Sequence, residues 1–258
     1  MVKEMFVDSH CHLDKLDYED LHQGIEDVVT KARAAKVNKL LSVGVTLDSF
    51  PKMIELINGF DEVYASCGVH PLDVESPFDL AKLTEYANHP KVVAIGETGL
   101  DFHYKPETAA LQRTRFEQQV ALAVNVDKPL IIHTRNAQQE TLDILKQGHA
   151  ERCSGVIHCF TEDLPFAKAA MELGFYISIS GIVTFRAAAE LKEVVKALPL
   201  ERLLIETDSP YLAPVPHRGK ENQPAYVVEV AQYIAQLKGE SLGTVAQHTS
   251  QNFQDLFL

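Results

Sequence analysis

The sequence contains no tryptophan, and its four cysteines form no Cys-x-x-Cys pair. A chain of 258 residues is too large to depend on disulfide bonds for its stability. The low aromatic content, 8% of the residues, offers no obvious platform on which nucleobases would stack. We expect all four thiols to be reduced and mostly buried: Cys11, Cys67, Cys153 and Cys159.

Long apolar runs are also missing. No stretch approaches the roughly 18 residues that a membrane-spanning helix requires. The first residues, MVKEMFVDSHCH, lack the apolar segment of a signal peptide. We therefore expect a cytoplasmic protein with no membrane segment, and nothing in the sequence predicts a protein partner.

Positive charge is scarce, since 24 lysine and arginine residues face 36 aspartate and glutamate residues, for a net charge of −12. A broad basic groove for duplex DNA is disfavoured, because such grooves bind mainly by neutralising phosphates. A polyanionic substrate is still compatible with this charge. Bound divalent cations create a local positive site even on an acidic protein.

Short apolar runs rich in valine, isoleucine and leucine recur along the chain with little alternation, which is typical of strands buried on both faces of a parallel sheet. Eight runs predict strands at 5–10, 39–45, 63–70, 91–97, 129–134, 155–160, 175–180 and 202–207. Helical spacing predicts helices at 46–60, 107–125, 164–174, 186–197 and 224–238, and a closing helix at the end of the chain.

Eight strands in alternation with helices predict a (β/α)8 TIM barrel, formed as a single domain over residues 1–258. A doubly wound open sheet is the alternative. Such sheets usually carry a glycine-rich phosphate turn, and no Gly-x-Gly-x-x-Gly follows an early strand.

Histidines and acids cluster at the predicted ends of the strands. In a parallel barrel these ends lie on one face, where barrel enzymes carry their active sites. We therefore expect one bowl to collect His10, His12, His70, Glu97, His133, His158 and Asp208.

The spacing of His10 and His12 adds to this expectation. Residues i and i+2 of a strand point to the same side, so both imidazoles face the barrel axis and Cys11 faces away. Each residue alone has a plainer explanation, such as a helix cap at Glu97 or a turn at Asp208. Together they suit two divalent ions. The predicted metal ligands are His10, His12, Glu97, His133, His158 and Asp208.

Basic residues are predicted at the same face. Arg135 follows His133 by two positions, and the loop 214–224 carries His217 and Arg218. Arginine can bind phosphate oxygens with two hydrogen bonds, so this loop suits an anionic group. The alternative is that Arg218 only ties the loop to nearby acids. We predict four substrate-binding residues: His70, Arg135, His217 and Arg218.

Six segments resemble the TatD family of metal-dependent hydrolases: DSHCHLD (8–14), GVHP (68–71), GETGLDF (96–102), IIHTR (131–135), HCF (158–160) and ETDSPYLAPVPHRGK (206–220). They span nearly the whole chain, and the last is highly specific. The resemblance implies a TIM barrel related to the amidohydrolases and deoxyribonuclease activity, often as a 3′ exonuclease on single-stranded DNA. It also implies that the six predicted ligands hold two metals, with Glu97 bridging. Leu72 and Asn136 stand where family members often carry His and Asp.

The predicted function is phosphodiester hydrolysis by water activated by two divalent ions, Zn²⁺, Mg²⁺ or Mn²⁺. Asp208 and Glu97 are the predicted catalytic residues, with Asp208 orienting the water and accepting its proton. One alternative is an amidohydrolase-like enzyme that cleaves a small ester, amide or lactone. Many such sites use a modified lysine as bridge, and neither AIGET nor PLIIHTR contains one. A metal-binding scaffold without turnover is a second alternative, which the intact ligand set disfavours.

Overall fold

Eight parallel strands form the centre of the fold. The computed structural model describes residues 5–258. The strands are β1 (Phe6–Cys11), β2 (Val37–Ser42), β3 (Val63–Cys67), β4 (Val92–Asp101), β5 (Leu130–Arg135), β6 (Gly155–Ile157), β7 (Tyr176–Ile179) and β8 (Leu203–Ile205). Each strand pairs in parallel with the next along the chain. All eight predicted strands are present.

The barrel closes between β1 and β8. Cys11 and Ser209 form a parallel bridge, and the amide of His12 donates to the carbonyl of Ser209 at 2.8 Å. A buried carboxylate joins the same strands, because Asp8 Oδ2 accepts a hydrogen bond from the hydroxyl of Thr207 at 2.6 Å. The prediction of a TIM barrel is therefore confirmed.

Helices connect the strands and cover the outside of the barrel. They are α1 (Ile25–Ala34), α2 (Phe50–Ile57), α3 (Leu80–Ala87), α4 (Ala109–Val126), α5 (Gln138–Gln147), α6 (Leu164–Glu172), α7 (Ala189–Ala197), α8 (Val227–Lys238) and α9 (Leu242–Phe257). The six predicted helices correspond to α2, α4 and α6–α9. The sequence predicts no helix at α1, α3 or α5, and the structure adds these three.

One end of the barrel is closed by apolar side chains. A cluster of buried residues takes members from β1, β2, β4, β5, β6 and β8, and residues of six strands can meet only on the barrel axis. Several lie at the second position of their strand, as Val7, Ile131 and Leu204 do. Phe253 and Phe257 of α9 complete the cluster. Polar chemistry is thus confined to the opposite end, where the strands finish.

β4 is longer than predicted. The strand was expected to end at Glu97 but continues to Asp101, so Glu97 lies inside it. The pairing with β5 shifts register between Ile95 and Thr98 and then resumes, with Asp101 opposite Arg135. Such an irregularity depends on pairing with the neighbouring strand, and its local sign is the glycine at position 96, which has a φ of +144°.

The structure addresses some of the remaining predictions and leaves others untested. Within residues 5–258, no helix combines the length and the apolar character that a membrane crossing requires. All four cysteines are free thiols, two of them buried and two partly buried. The single-domain interpretation and the cytoplasmic location stay predictions, and residues 1–4 of the predicted domain lie outside the described residues.

Replacing Gly99 with alanine is expected to destabilise the protein strongly. Gly99 adopts a φ of +133°, and a methyl group there would overlap the carbonyl oxygen of His133 on the adjacent strand. Both the backbone conformation and the close strand packing exclude a side chain. We expect urea denaturation to show a free energy of unfolding lower by at least about 3 kcal/mol.

Gly59→Ala provides the matched control, since its added methyl group would meet no atom within 4 Å. Its free energy of unfolding should change by no more than about 0.5 kcal/mol. Equal stability of the two variants would contradict the close contact between β4 and β5.

Candidate metal-binding active site

The side chains of the predicted ligands converge on one buried carboxylate, that of Glu97 in β4. Its neighbours come from strands on all sides of the barrel. They are His10 and His12 at the end of β1, His70 after β3, His133 in β5, His158 after β6 and Asp208 after β8. The structure therefore brings all six predicted metal ligands together. His70, which was predicted to bind substrate, lies beside them.

A first group of candidate metal ligands, named the first ligand set, comprises His10, His12, Asp208 and Oε2 of Glu97. His10 Nε2 lies 3.3 Å from Glu97 Oε2 and 3.6 Å from Asp208 Oδ1. His12 Nε2 lies 3.8 Å and 3.4 Å from the same two oxygens. The two imidazole nitrogens are 3.3 Å apart. Four donor atoms from β1, β4 and the β8 loop thus share one centre.

Three other histidines surround the second oxygen of Glu97. His158 Nε2 is 2.8 Å from Oε1, His70 Nε2 is 3.1 Å away and His133 Nδ1 is 3.6 Å away. The two oxygens of one carboxylate therefore face two different groups of donors. This division is what a carboxylate that bridges two ions requires.

Carboxylates behind His133 and His158 determine which ring nitrogen faces the site. His133 Nε2 lies 2.9 Å from Asp101 Oδ2, and His158 Nδ1 lies 3.2 Å from Glu206 Oε1. An ionised carboxylate only accepts, so each of these nitrogens is the donor. The neutral rings then present the lone pairs of His133 Nδ1 and His158 Nε2 to Glu97. Together with Glu97 Oε1, these two nitrogens form a second group of candidate metal ligands, named the second ligand set.

His70 differs from the other histidines. Its Nδ1 accepts a hydrogen bond from the amide of Leu72 at 3.1 Å. A neutral ring that accepts at Nδ1 carries its proton on Nε2. His70 is therefore arranged to donate a hydrogen bond toward Glu97 Oε1 or another oxygen, and not to offer a lone pair to a metal.

Electrostatics keep the central carboxylate ionised. Burial raises the pKa of Glu97, but electrostatic interactions with His158, His70 and His10 outweigh burial and hold this pKa well below its ordinary value. Asp208 behaves alike, because hydrogen bonding from His12 and the charge of His10 overcome the effect of burial and lower its pKa. Both acids are thus available as anionic ligands.

The pKa values of His10 and His158 are shifted in opposite directions. Burial, together with the nearby charge of His158, lowers the pKa of His10 and favours its neutral form. Burial also acts to lower the pKa of His158, but the charges of Glu97 and Glu206 raise it well above its ordinary value. The position of His158 between two carboxylates therefore favours positive charge, and its Nε2 offers a lone pair only once the proton on that nitrogen is lost.

The donors fit divalent ions. Two ligands bound to one ion at about 2.1 Å in tetrahedral geometry lie about 3.4 Å apart. The five measured separations in the first ligand set range from 3.3 to 3.8 Å. In the second ligand set, the contact of His158 Nε2 with Glu97 lacks hydrogen-bond geometry, and this buried nitrogen has no partner in the described part of the chain. Imidazole and carboxylate donors suit zinc and manganese.

The ligands lie at the bottom of an open cleft of about 660 Å³. Ligand pockets typically measure roughly 300–1,000 Å³. His70 and Arg135, two of the predicted substrate-binding residues, line this cleft, together with Lys15. Arg135 forms no ion pair with a carboxylate anywhere in residues 5–258, so its guanidinium group is available to an anion.

The other two predicted substrate-binding residues, His217 and Arg218, do not line the cleft. The ring of His217 stacks on Tyr226 with centroids 3.7 Å apart, and its Nε2 contacts Glu229 at 3.1 Å. The guanidinium of Arg218 lies 3.7 Å from the centre of the Phe185 ring. Their substrate-binding role stays a prediction.

Sequence reasoning foresaw the arrangement at β1 and missed the carboxylates behind the ligands. As predicted, His10 and His12 face the site, while the thiol of Cys11 donates to the carbonyl of Leu41 on the other side. Asp101 and Glu206 were not identified. The available signal was the alternation of side chains along a strand, because Asp101 follows Glu97 by four residues and Glu206 precedes Asp208 by two.

Several known proteins are similar to this chain over most of its length. The TatD related DNase family matches residues 7–258. An uncharacterized metal-dependent hydrolase of Escherichia coli K12, YcfH, is 52% identical over 251 residues, which cover 97% of this chain and 95% of the relative. The 3′-5′ ssDNA/RNA exonuclease TatD of Escherichia fergusonii is 36% identical over 240 residues, covering 90% and 92%.

A solved structure is also similar. The crystal structure of YjjV, a TatD homologue from Escherichia coli K12, has a TM-score of 0.90 and 30% identity, with 98% of this chain and 97% of that chain covered. The barrel and its cluster of histidines and acids define the class of metal-dependent hydrolases. Within this class, the chain belongs to the TatD family.

Replacing Glu206 with glutamine is expected to weaken metal binding. The side chain accepts from His158 Nδ1 and from the amide of Cys159 at 2.8 Å, and its charge increases the basicity of the ligand. Loss of such an outer carboxylate typically lowers metal affinity by about 10- to 100-fold. Competition with a chelating dye measures this affinity.

Glu140→Gln is the matched control, because Glu140 pairs with Arg113 on the surface and does not line the cleft. Its metal affinity should equal that of the unaltered protein. If Glu206→Gln also retains full affinity, the carboxylate does not support the ligand.

Proposed function

We propose that the protein is a metal-dependent phosphodiester hydrolase that acts as a 3′ exonuclease on single-stranded DNA. The observation that carries the proposal is the position of the Glu97 carboxylate. Its two oxygens face two separate ligand sets at the bottom of an open cleft. The similarity to a relative named for 3′-5′ exonuclease activity on single strands supports the choice of substrate.

Two divalent ions would be held by the residues already described. His10, His12, Asp208 and Glu97 would hold one, and Glu97, His133 and His158 the other. Such ions polarise a phosphoryl oxygen and lower the pKa of a bound water. Zn²⁺, Mn²⁺ and Mg²⁺ are the candidates, since the donor set combines imidazole with carboxylate.

Asp208 is proposed to orient the attacking water and to accept its proton. Its side chain is 13% exposed, which is more than the 4% of Glu97, and it lines the cleft. Its lowered pKa keeps the carboxylate ionised and able to accept. Glu97 lines the bottom of the cleft between the two ligand sets and would serve as the bridging ligand rather than as the base.

Donors on the cleft wall complete the proposed mechanism. His70 donates from Nε2, and Arg135 presents an unpaired guanidinium, so both are suited to the non-bridging oxygens of a phosphodiester. Hydrogen bonds that strengthen as charge builds on these oxygens favour the transition state. Participation of His217 and Arg218 would require both side chains to leave their contacts with Tyr226 and Phe185.

Asp208→Asn is expected to lower kcat on single-stranded DNA by about 100-fold or more, because the variant cannot accept a proton. Asp208 has a φ of +57°, a conformation that asparagine also tolerates, so the loop should keep its shape. Digestion of DNA labelled at the 3′ or the 5′ end, with Mg²⁺ or Mn²⁺, measures both rate and polarity.

Asp79→Asn is the matched control. Asp79 caps α3 away from the cleft, and asparagine caps a helix equally well. This control should digest DNA at the rate of the unaltered protein. Near-full activity of Asp208→Asn would contradict the proposed role of Asp208 as the base. Failure of the metal-loaded protein to cleave any phosphodiester would favour a small ester, amide or lactone as substrate.

Glu97→Ala tests the bridge separately from turnover. Removing one carboxylate should lower metal occupancy in both ligand sets, because each set loses one of its donors. Elemental analysis after dialysis against a limiting metal concentration gives the number of ions per chain. A ratio unchanged from the unaltered protein rules out bridging by Glu97.

A further inference from the structure

The exposed aromatic residues occupy one place on the protein. The chain has 12 phenylalanines and 8 tyrosines, all within residues 5–258. Only two of these 20 rings belong to residues classed as exposed: Tyr104, at 61%, and Tyr211, at 54%. Both line the cleft above the ligand sets. Sequence composition had offered no platform for stacking nucleobases, but the fold places its two exposed rings where such a platform is useful.

Tyr211 is held on the side of the first ligand set. Its amide donates to the carbonyl of Asp208 at 2.9 Å, and its ring meets the ring of His12 edge-on, with centroids 6.0 Å apart. In the described part of the chain, its hydroxyl forms no hydrogen bond. The backbone is thus fixed to a metal ligand while the ring remains free to receive another molecule.

Tyr104 is held on the side of the second ligand set. Its amide donates to Asp101 Oδ1 at 2.8 Å, and the other oxygen of Asp101 binds His133. The guanidinium of Arg135 lies 5.3 Å from the centre of its ring. Such a contact puts a positive charge over one face of the ring, so a base would stack on the opposite face. No hydrogen bond from its hydroxyl occurs within residues 5–258.

The scarcity of positive charge in the cleft increases the importance of contacts between these rings and the bases. Lys15 and Arg135 supply the only lysine or arginine side chains among the cleft-lining residues, and the net charge of the chain is −12. A nucleic acid therefore gains little from the general phosphate attraction that usually dominates its binding. Contacts with the bases must supply affinity that the backbone contacts do not.

We propose that Tyr104 and Tyr211 stack on unpaired nucleobases on either side of the phosphodiester that is cleaved. The inference rests on the proposed function and identifies the substrate class more closely as a single strand with intact bases. At the end of a duplex only the outer face of the terminal pair is free, so the end must open before both rings can stack. Stacking accepts any base, which suits an enzyme that shortens strands of every sequence.

The test combines enzyme variants with substrates that lack one base. Tyr104→Ala and Tyr211→Ala are measured on a single-stranded oligonucleotide, and on the same oligonucleotide with an abasic residue at the last or the second-last position from the 3′ end. Each variant should lower kcat/KM on the intact strand about tenfold. On the strand that lacks the partner base, the same variant should cause no further loss.

Controls separate stacking from structural effects. Tyr104→Phe and Tyr211→Phe keep the ring and should restore the coupling between ring and base. Leu21→Ala removes an exposed apolar side chain away from the cleft, so its kcat/KM should be unchanged. Metal content, measured by elemental analysis, should be equal in all variants. The same RNA sequence should show the same coupling if RNA is cleaved, because stacking does not involve the sugar.

The outcomes are distinct. An equal loss on intact and abasic strands, or no loss on either, overturns stacking while leaving the nuclease proposal in place. Absence of cleavage of every single strand by the metal-loaded, unaltered protein overturns the proposed function and the stacking together.

Discussion

The fold of this protein brings five histidines to one buried carboxylate. The oxygens of Glu97 lie within 4 Å of ring nitrogens from β1, β5 and the loops after β3 and β6. An ionised acid in such a place is costly unless opposite charge compensates it. The histidines supply that charge, and bound cations would supply more of it. The barrel is the framework that holds Glu97 and these histidines in position.

The balance extends beyond the residues that face the cleft. Asp101 and Glu206 lie behind His133 and His158 and orient their rings. Without them, either ring nitrogen would serve as donor or acceptor, and the lone pairs would no longer be directed to the centre. Each acid is itself held, Asp101 by accepting from the amides of His103 and Tyr104, and Glu206 by the amide of Cys159. The backbone therefore fixes the orientation of His133 and His158 through these two carboxylates.

Much of the barrel and of the ligand cluster could be predicted from the sequence. Buried strands leave uninterrupted apolar runs, and the spacing of His10 and His12 is enough to place both rings on one side of β1. What escaped prediction depends on residues distant in the chain. The register shift after Ile95 is imposed by β5, and the exposure of Tyr104 and Tyr211 depends on which loops meet at the rim. The contacts of His217 and Arg218 with aromatic rings have the same origin.

The seam between β1 and β8 has a consequence for how the enzyme is made. The first ligand set takes His10 and His12 from the beginning of the chain and Asp208 from far along it, and the amide of Asp208 donates to the carbonyl of His10 across the seam at 2.9 Å. On the ribosome, the two histidines emerge about 200 residues before their acidic partner, and domains generally fold as units. A chain still in synthesis therefore has an open barrel and an incomplete metal site. The first ligand set is complete only when the last strand closes the ring.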